Sequence, residues 1–240
     1  MKFLEYDSPL MQALTKVANL MILNGLTLLC CLPIVTVGAS LTAAHYMCMK
    51  IVRNEDGPIV KGFFKAFKES FKQATLVWLA LLVIILIMVG DYLIVYHSGI
   101  TFPYWFQVAL AAVGVIGLFE WIMVFPFMGK FTNTTLRTLK NALIISIAKF
   151  PITILMIIMN AIPIVIGMFF IQSWPIILLF GITVPAYFSA KLLNKYFKQL
   201  EEHVIEAQIA RGEIVPNREE DDGEKIFHDS LDESLGGNKR

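Results

Sequence analysis

From Val17 to Met49 the chain runs VANLMILNGLTLLCCLPIVTVGASLTAAHYMCM without a single Lys, Arg, Asp or Glu. A hydrocarbon core of ~30 Å is crossed by about 20 apolar residues rising 1.5 Å each, so the run is too long for one upright span and short for two. Pro33 decides how it folds. Proline has no backbone N–H to give, and Thr36 and Gly38 follow it, so a helix ending near Leu32 is expected to break before another starts near Ala39. The run reads as a helical hairpin with one full arm and one short one, and whether residues 34–49 cross completely stays open at this stage.

The rest of the chain keeps the same register. It is 57% hydrophobic and 16% charged with a mean hydropathy of +0.67, values of polytopic membrane proteins rather than soluble domains. Residues 74–96 are the strongest single span, followed by 104–128, 141–159 and 176–193. Ala111, Gly114 and Gly117 recur at three-residue spacing and would let a neighbouring helix approach closely. Phe125-Pro126 marks the end of that span, Pro151 is expected to kink the next, residues 160–175 read as uncharged and irregular, and Pro185 interrupts the last. Val37-Gly38-Ala39 resembles a leader cleavage site, but Glu5 and Asp7 precede the apolar run and more apolar sequence follows it, so a span is expected. Cys30, Cys31 and Cys48 form no disulfide framework and are expected to be reduced.

The fold class expected is all-α: a polytopic transmembrane helical bundle of about five full spans plus one short membrane helix, with amphipathic interfacial helices and a disordered acidic tail. In residues 59–73, Phe64, Phe67 and Phe71 share a face with Phe63 beside them, while Lys61, Lys65, Lys68 and Lys72 occupy a separate flank. That pattern predicts a helix held at anionic lipid, its lysines reaching phosphate and its rings at the acyl boundary, the alternative being a cytoplasmic helix packed on its own protein. Leu193, Phe197, Leu200, Val204 and Ala207 repeat in heptad-like steps on a helix expected to leave the membrane and end near Gly212. Three units follow: residues 1–193 in the membrane, 194–212 a cytoplasmic amphipathic helix, and 213–240 a tail with nine acidic residues against four basic. The stretch 194–240 is the candidate contact for a membrane or cytoplasmic protein partner.

Lys and Arg cluster at 50–72, 130–140 and 191–198 and are absent from 97–103 and 160–175. Because such residues are retained on the cytoplasmic side, both ends of the chain are expected there, the N-terminus provided that the 17–49 run crosses and returns. Lys16-Val17-Ala18, Lys72-Gln73-Ala74 and Lys140-Asn141-Ala142 each open a span, a faint threefold hairpin repeat that agrees.

Ionisable groups within a span cost ~2.5 to 3.5 kcal/mol on insertion scales, so each needs a reason. Glu120 is the leading functional candidate. Its alternatives are a protonated carboxyl bonded to a neighbouring helix, or an ion pair with Lys149, which residue counting puts at similar depth on the next span. Asn19, Asn24, Thr27, Thr36, Ser40, Thr42 and His45 decorate the first hairpin, where they would line a polar cleft or bridge helices, bridging being preferred. Asn24 and Thr36 join Glu120 and Lys149 as candidate functional residues. His45 and Cys48 would supply two metal ligands at most, so no metal or cofactor is expected. No G-x-S-x-G, H-E-x-x-H or phosphate-binding loop occurs, and no catalysis is expected; no nucleic-acid-binding fold accompanies the basic segment.

Two stretches carry a family resemblance: Asn24-Gly25-Leu26 running to Leu32-Pro33-Ile34-Val35-Thr36-Val37-Gly38-Ala39-Ser40, and Gly62-Phe63-Phe64-Lys65-Ala66-Phe67-Lys68 leading to Phe71-Lys72-Gln73-Ala74. With them the chain resembles the YesL-like family of uncharacterised bacterial integral membrane proteins over roughly residues 10–190. The resemblance implies a small multi-pass protein of the bacterial plasma membrane whose relatives tend to be encoded beside carbohydrate-uptake and polysaccharide-degradation genes. It implies no activity and no site residues. The functional expectation is an accessory or scaffold protein of a sugar-uptake or sugar-sensing system, the alternative being a small secondary transporter or channel, proton-coupled through Glu120.

Overall fold

The computed structural model describes residues 9–55, 57–98, 103–132, 134–210 and 226–227. Eight α-helices account for nearly all of them: α1 (Pro9–Cys31), α2 (Val37–Arg53), α3 (Ile59–Ser98), α4 (Tyr104–Lys130), α5 (Thr135–Ala148), α6 (Phe150–Phe169), α7 (Trp174–Phe180) and α8 (Thr183–Ala210). Five segments are long and apolar enough to cross a membrane, and the bent pair α7–α8 makes a sixth when taken as one span. Leucine, isoleucine, valine and aromatic side chains cover the outside of α1, α3, α4, α6 and α7. Such a coat suits lipid, in which helices satisfy their own backbone and turn apolar side chains outward. The protein is an all-α membrane-embedded bundle.

The hairpin breaks where Pro33 requires. α1 stops at Cys31, a short 3-10 turn occupies Ile34–Thr36, and α2 begins at Val37. Its second arm is the centre of the bundle, since 56% of the α2 segment is buried against 11% of α6 and 28% of α4. Small residues make that possible: Gly38, Ala39, Ser40, Thr42, Ala43 and Ala44 are all buried. A Cβ on Gly38 would run into the carbonyl of Ala74 and the Cβ of Trp78, so α2 and α3 meet backbone to backbone there. At Gly129 of α4 a Cβ would meet Tyr46 N at 3.1 Å and Thr42 O at 3.3 Å. Thus α2 lies between α3 and α4, with α1 and α8 also against it. It ends in a left-handed Asn54 (φ 59°), whose N–H reaches Ile51 O, a conformation asparagine tolerates better than most residues.

Residues 59–73 form the beginning of α3, which continues unbroken for 40 residues. At 1.5 Å per residue that is roughly 60 Å, about twice the hydrocarbon thickness. Phe63, Ala66, Ser70, Ala74, Val77 and Leu81 form a buried seam, while Phe67 is half-buried and Phe64 and Phe71 are exposed. One of the four rings expected at the acyl boundary is therefore core, because small residues at 66, 70 and 74 open a groove for α2. Periodicity alone does not separate a protein-facing stripe from a lipid-facing one. Gly114 and Gly117 of α4 face Met88 and Ile84 of α3, whereas Ala111 is exposed.

Three boundaries differ from the expectation. α4 passes through Pro126 and ends at Lys130, with Phe131 as its cap. The span expected at 141–159 is Phe150–Phe169: the helix breaks at Lys149 (φ −111°, ψ 42°), and Pro151 sits in the first turn of α6, where its missing N–H has no intrahelical partner to lose. Residues 160–169, expected to be irregular, are helical through Pro163. The expected stripe is carried by α8, which continues the last span, and its buried face runs Ala186, Ala190, Leu193, Phe197 and Leu200. Val204, Ala207 and the helix end near Gly212 lie outside the residues whose side chains or backbone are described. So does the tail, apart from Ile226–Phe227, which pairs in parallel with Phe131–Thr132 as a two-residue ladder.

Candidate functional site

The polar centre of the bundle is the break in its last span. α7 ends with Gly181 N–H on Ile177 O (2.7 Å), α8 begins at Thr183, and the two are bent by 45°. Asn24, fully buried on α1, fills the gap. Its Nδ2 donates to Leu178 O at 2.8 Å, and its Oδ1 accepts from Ile182 N (3.1 Å) and Thr183 N (3.0 Å). One carboxamide thereby serves the last turn of α7 and the first turn of α8, whose groups have no intrahelical partner. The Thr183 hydroxyl lies 3.1 Å from Leu20 O and 3.3 Å from Asn24 Oδ1, and the Cys48 thiol reaches Thr183 O at 3.7 Å. α1, α2 and α8 are knotted at one buried point.

Thr36 closes the other break. Its hydroxyl lies 2.6 Å from Cys30 O and 2.8 Å from Pro33 O, bridging the end of α1 and the turn. Trp78 of α3 pins the same turn, its Nε1 donating to Ile34 O, and its ring stands 5.0 Å from that of Trp121. Thr27 and Thr42 turn back onto carbonyls of their own helices, Leu23 O and Gly38 O. Of the hairpin's polar side chains, Asn24 and Thr36 thus bridge, and Thr27 and Thr42 fold back.

Beside Trp121, Glu120 is buried on α4, and its Oε1 has no hydrogen-bond partner among the described residues. Lys149 does not supply one: its ammonium stands over the ring of Tyr196, 4.7 Å from the centroid, a cation–π contact. Lys149 is therefore engaged with Tyr196, and no ion pair joins it to Glu120 among the described residues. Asn141, with both carboxamide atoms unpaired, and Ser40 and Ser189, each with a buried unpaired hydroxyl, share the condition of Glu120. Asn141, Thr183 and Ser189 carry no motif. Thr183 alone had a local signal, lying between Gly181 and Pro185 where a helix must restart.

Lys61, Lys65, Lys68 and Lys72 are all exposed along α3. Lys61 and Lys65, with Lys50 of α2, rim a shallow depression floored by Met47 and Gly62. His45 and Cys48 gather no further ligands: among the described residues no group of three His, Cys, Asp or Glu side chains could hold a metal ion.

No curated protein and no solved structure matches this chain. Residues 20–92 match the model of an uncharacterised family, described as "Protein of unknown function, DUF624". The matched segment contains Asn24, Thr36, the Gly38 crossing and the four lysines of α3, and leaves Glu120 and Lys149 outside.

Proposed function

We propose that the protein is an accessory or scaffold component of a carbohydrate-uptake or carbohydrate-sensing system in a bacterial plasma membrane, with both termini cytoplasmic and no catalysis of its own. The observation that carries this reading is the Asn24 knot. In transporters with discontinuous helices the freed helix ends face the substrate or coupling ion. In this bundle the N–H groups of Ile182 and Thr183 and the carbonyl of Leu178 are taken by Asn24. A break stitched shut from a neighbouring helix holds a shape. The sugar context rests on the YesL-like resemblance over Asn24–Ser40 and Gly62–Ala74. Its test is affinity purification from membranes through residues 194–240, the proposed protein contact. Retention of a sugar-uptake or sugar-sensing component supports the reading, and recovery of the protein alone from crosslinked membranes contradicts it.

The lysines of α3 are proposed to hold anionic lipid, each contributing on the order of 1 kcal/mol. Replacing Lys61, Lys65, Lys68 and Lys72 together by Gln should remove anionic lipid that co-purifies with the wild type, and unchanged lipid content would refute the assignment.

One observation favours a second reading. The unpaired Glu120 Oε1 is the kind of buried carboxyl that a proton-coupled transporter uses. A small secondary transporter or channel coupled through Glu120 is therefore the alternative.

A further inference from the structure

The C-terminal tail meets the bundle at one described place. Ile226–Phe227 pairs in parallel with Phe131–Thr132, the two residues that carry the chain out of α4 towards α5. Phe131 is firmly held there, buried, with its ring 4.9 Å from that of Phe127 and 5.5 Å from that of Phe197 on α8. A two-residue ladder is too short to hold a segment by itself, so its flanks decide whether the pairing lasts.

Those flanks meet cations. Lys195 and Lys198 are exposed on α8 on either side of Phe197, Lys140 is exposed on α5, and Arg53 at the end of α2 donates to Asn194 Oδ1 at 2.9 Å. α5 starts three residues beyond Thr132 with no acidic residue in its first turn, and among the described residues Thr134 gives it no side-chain cap. The positive end of that helix therefore favours a carboxylate from elsewhere. The tail carries the opposite charge: Glu219, Glu220, Asp221, Asp222 and Glu224 precede Ile226, and Asp229 follows Phe227 by two residues. At ~3.3 Å per residue the five carboxylates lie within about 23 Å of the ladder, a reach that takes in the lysines beside Phe197, and the parallel register sends the chain beyond Phe227 towards the start of α5.

We propose that residues 219–229 dock on the basic face of their own chain, with Ile226–Phe227 as the added strand, the preceding carboxylates on Lys195 and Lys198, and Asp229 at the first turn of α5. The occupant is the same molecule rather than a second copy. Residues 211–225 can span about 50 Å between the end of α8 and the ladder, and a tether of that length holds the segment at an effective concentration of the order of millimolar. A protein partner captured through the tail has to displace this contact. The assignment itself does not depend on whether the protein is a scaffold or a transporter.

The test uses the full chain in a cysteine-free background, in neutral-lipid nanodiscs so that no anionic lipid competes for the lysines. Thr132→Cys is combined either with Phe227→Cys or with Asn238→Cys. Neighbouring strands lie about 5 Å apart, within the reach of a disulfide. On mild oxidation the first pair should close within one chain about tenfold faster than the second. Replacing Glu219, Glu220, Asp221, Asp222 and Glu224 together by Gln and Asn should slow that closure at least threefold, as should 1 M salt, where screening sets in beyond ~3 Å; the Tm of the bundle should not change. Closure of both pairs at one rate overturns the proposal, as do a crosslink that joins two chains and a closure rate that neutralisation leaves unchanged.

Discussion

Asn24 brings one carboxamide to three backbone groups and one hydroxyl across more than 150 residues of chain. Its Oδ1 and Nδ2 have no substitute nearby, so Asn24→Ala should strand two N–H groups and a carbonyl in the bundle interior. Each buried unsatisfied group costs about 1–3 kcal/mol, part of which relaxation of the break recovers. The expected loss is about 2–4 kcal/mol, read as a lowered Tm in detergent; an unchanged Tm would mean that the break does not need Asn24. In the sequence Asn24 stood out as a polar residue in a charge-free run, and bridging was its preferred role. Its partner was illegible because no periodicity links α1 to a break so far away. Residue counting put Lys149 at the depth of Glu120 on the assumption of one helix from Asn141. The helix breaks at Lys149 itself, and the ammonium swings to Tyr196.

The helices were legible in proportion to how local their determinants are. Pro33 ends a helix in a run with no other breaker, and the turn lies where it predicts. Pro126 and Pro163 are carried inside helices, and Pro151 starts one, because a first turn has no intrahelical N–H bond to lose and membrane helices tolerate an internal proline. The crossing of α2 and α3 depends on Gly38, whose absent side chain is the space that Ala74 and Trp78 occupy. Gly38→Val should force these helices apart at a cost of at least about 1–3 kcal/mol, as overpacking does. Protease access to the turn at residues 33–36 should rise with it; native-like resistance and Tm would show that the approach is looser than the structure has it. The same substitution at Gly25, where nothing stands within 4 Å, serves as the control.

The molecule as a whole wears its hydrophobic side chains outward around a core built on α2, and that inversion was plain from composition and span lengths alone. The distribution of Lys and Arg proposes a direction for it. In a cysteine-free background, single cysteines at Ser98 and Ser173 should react with an impermeant thiol reagent from outside intact cells and one at Asn238 should not; the reverse pattern would invert the topology. Glu120 separates the two functional readings. A proton-coupled transporter needs a carboxyl whose charge changes through its cycle, whereas a scaffold needs only packing and hydrogen bonding, which an isosteric glutamine keeps. The decisive measurement is sugar uptake by purified wild type and Glu120→Gln in sealed vesicles, with mono- and oligosaccharides, with and without an imposed pH gradient. A scaffold accumulates no sugar under either condition; pH-driven uptake by the wild type that Glu120→Gln abolishes would contradict it and make the protein a transporter.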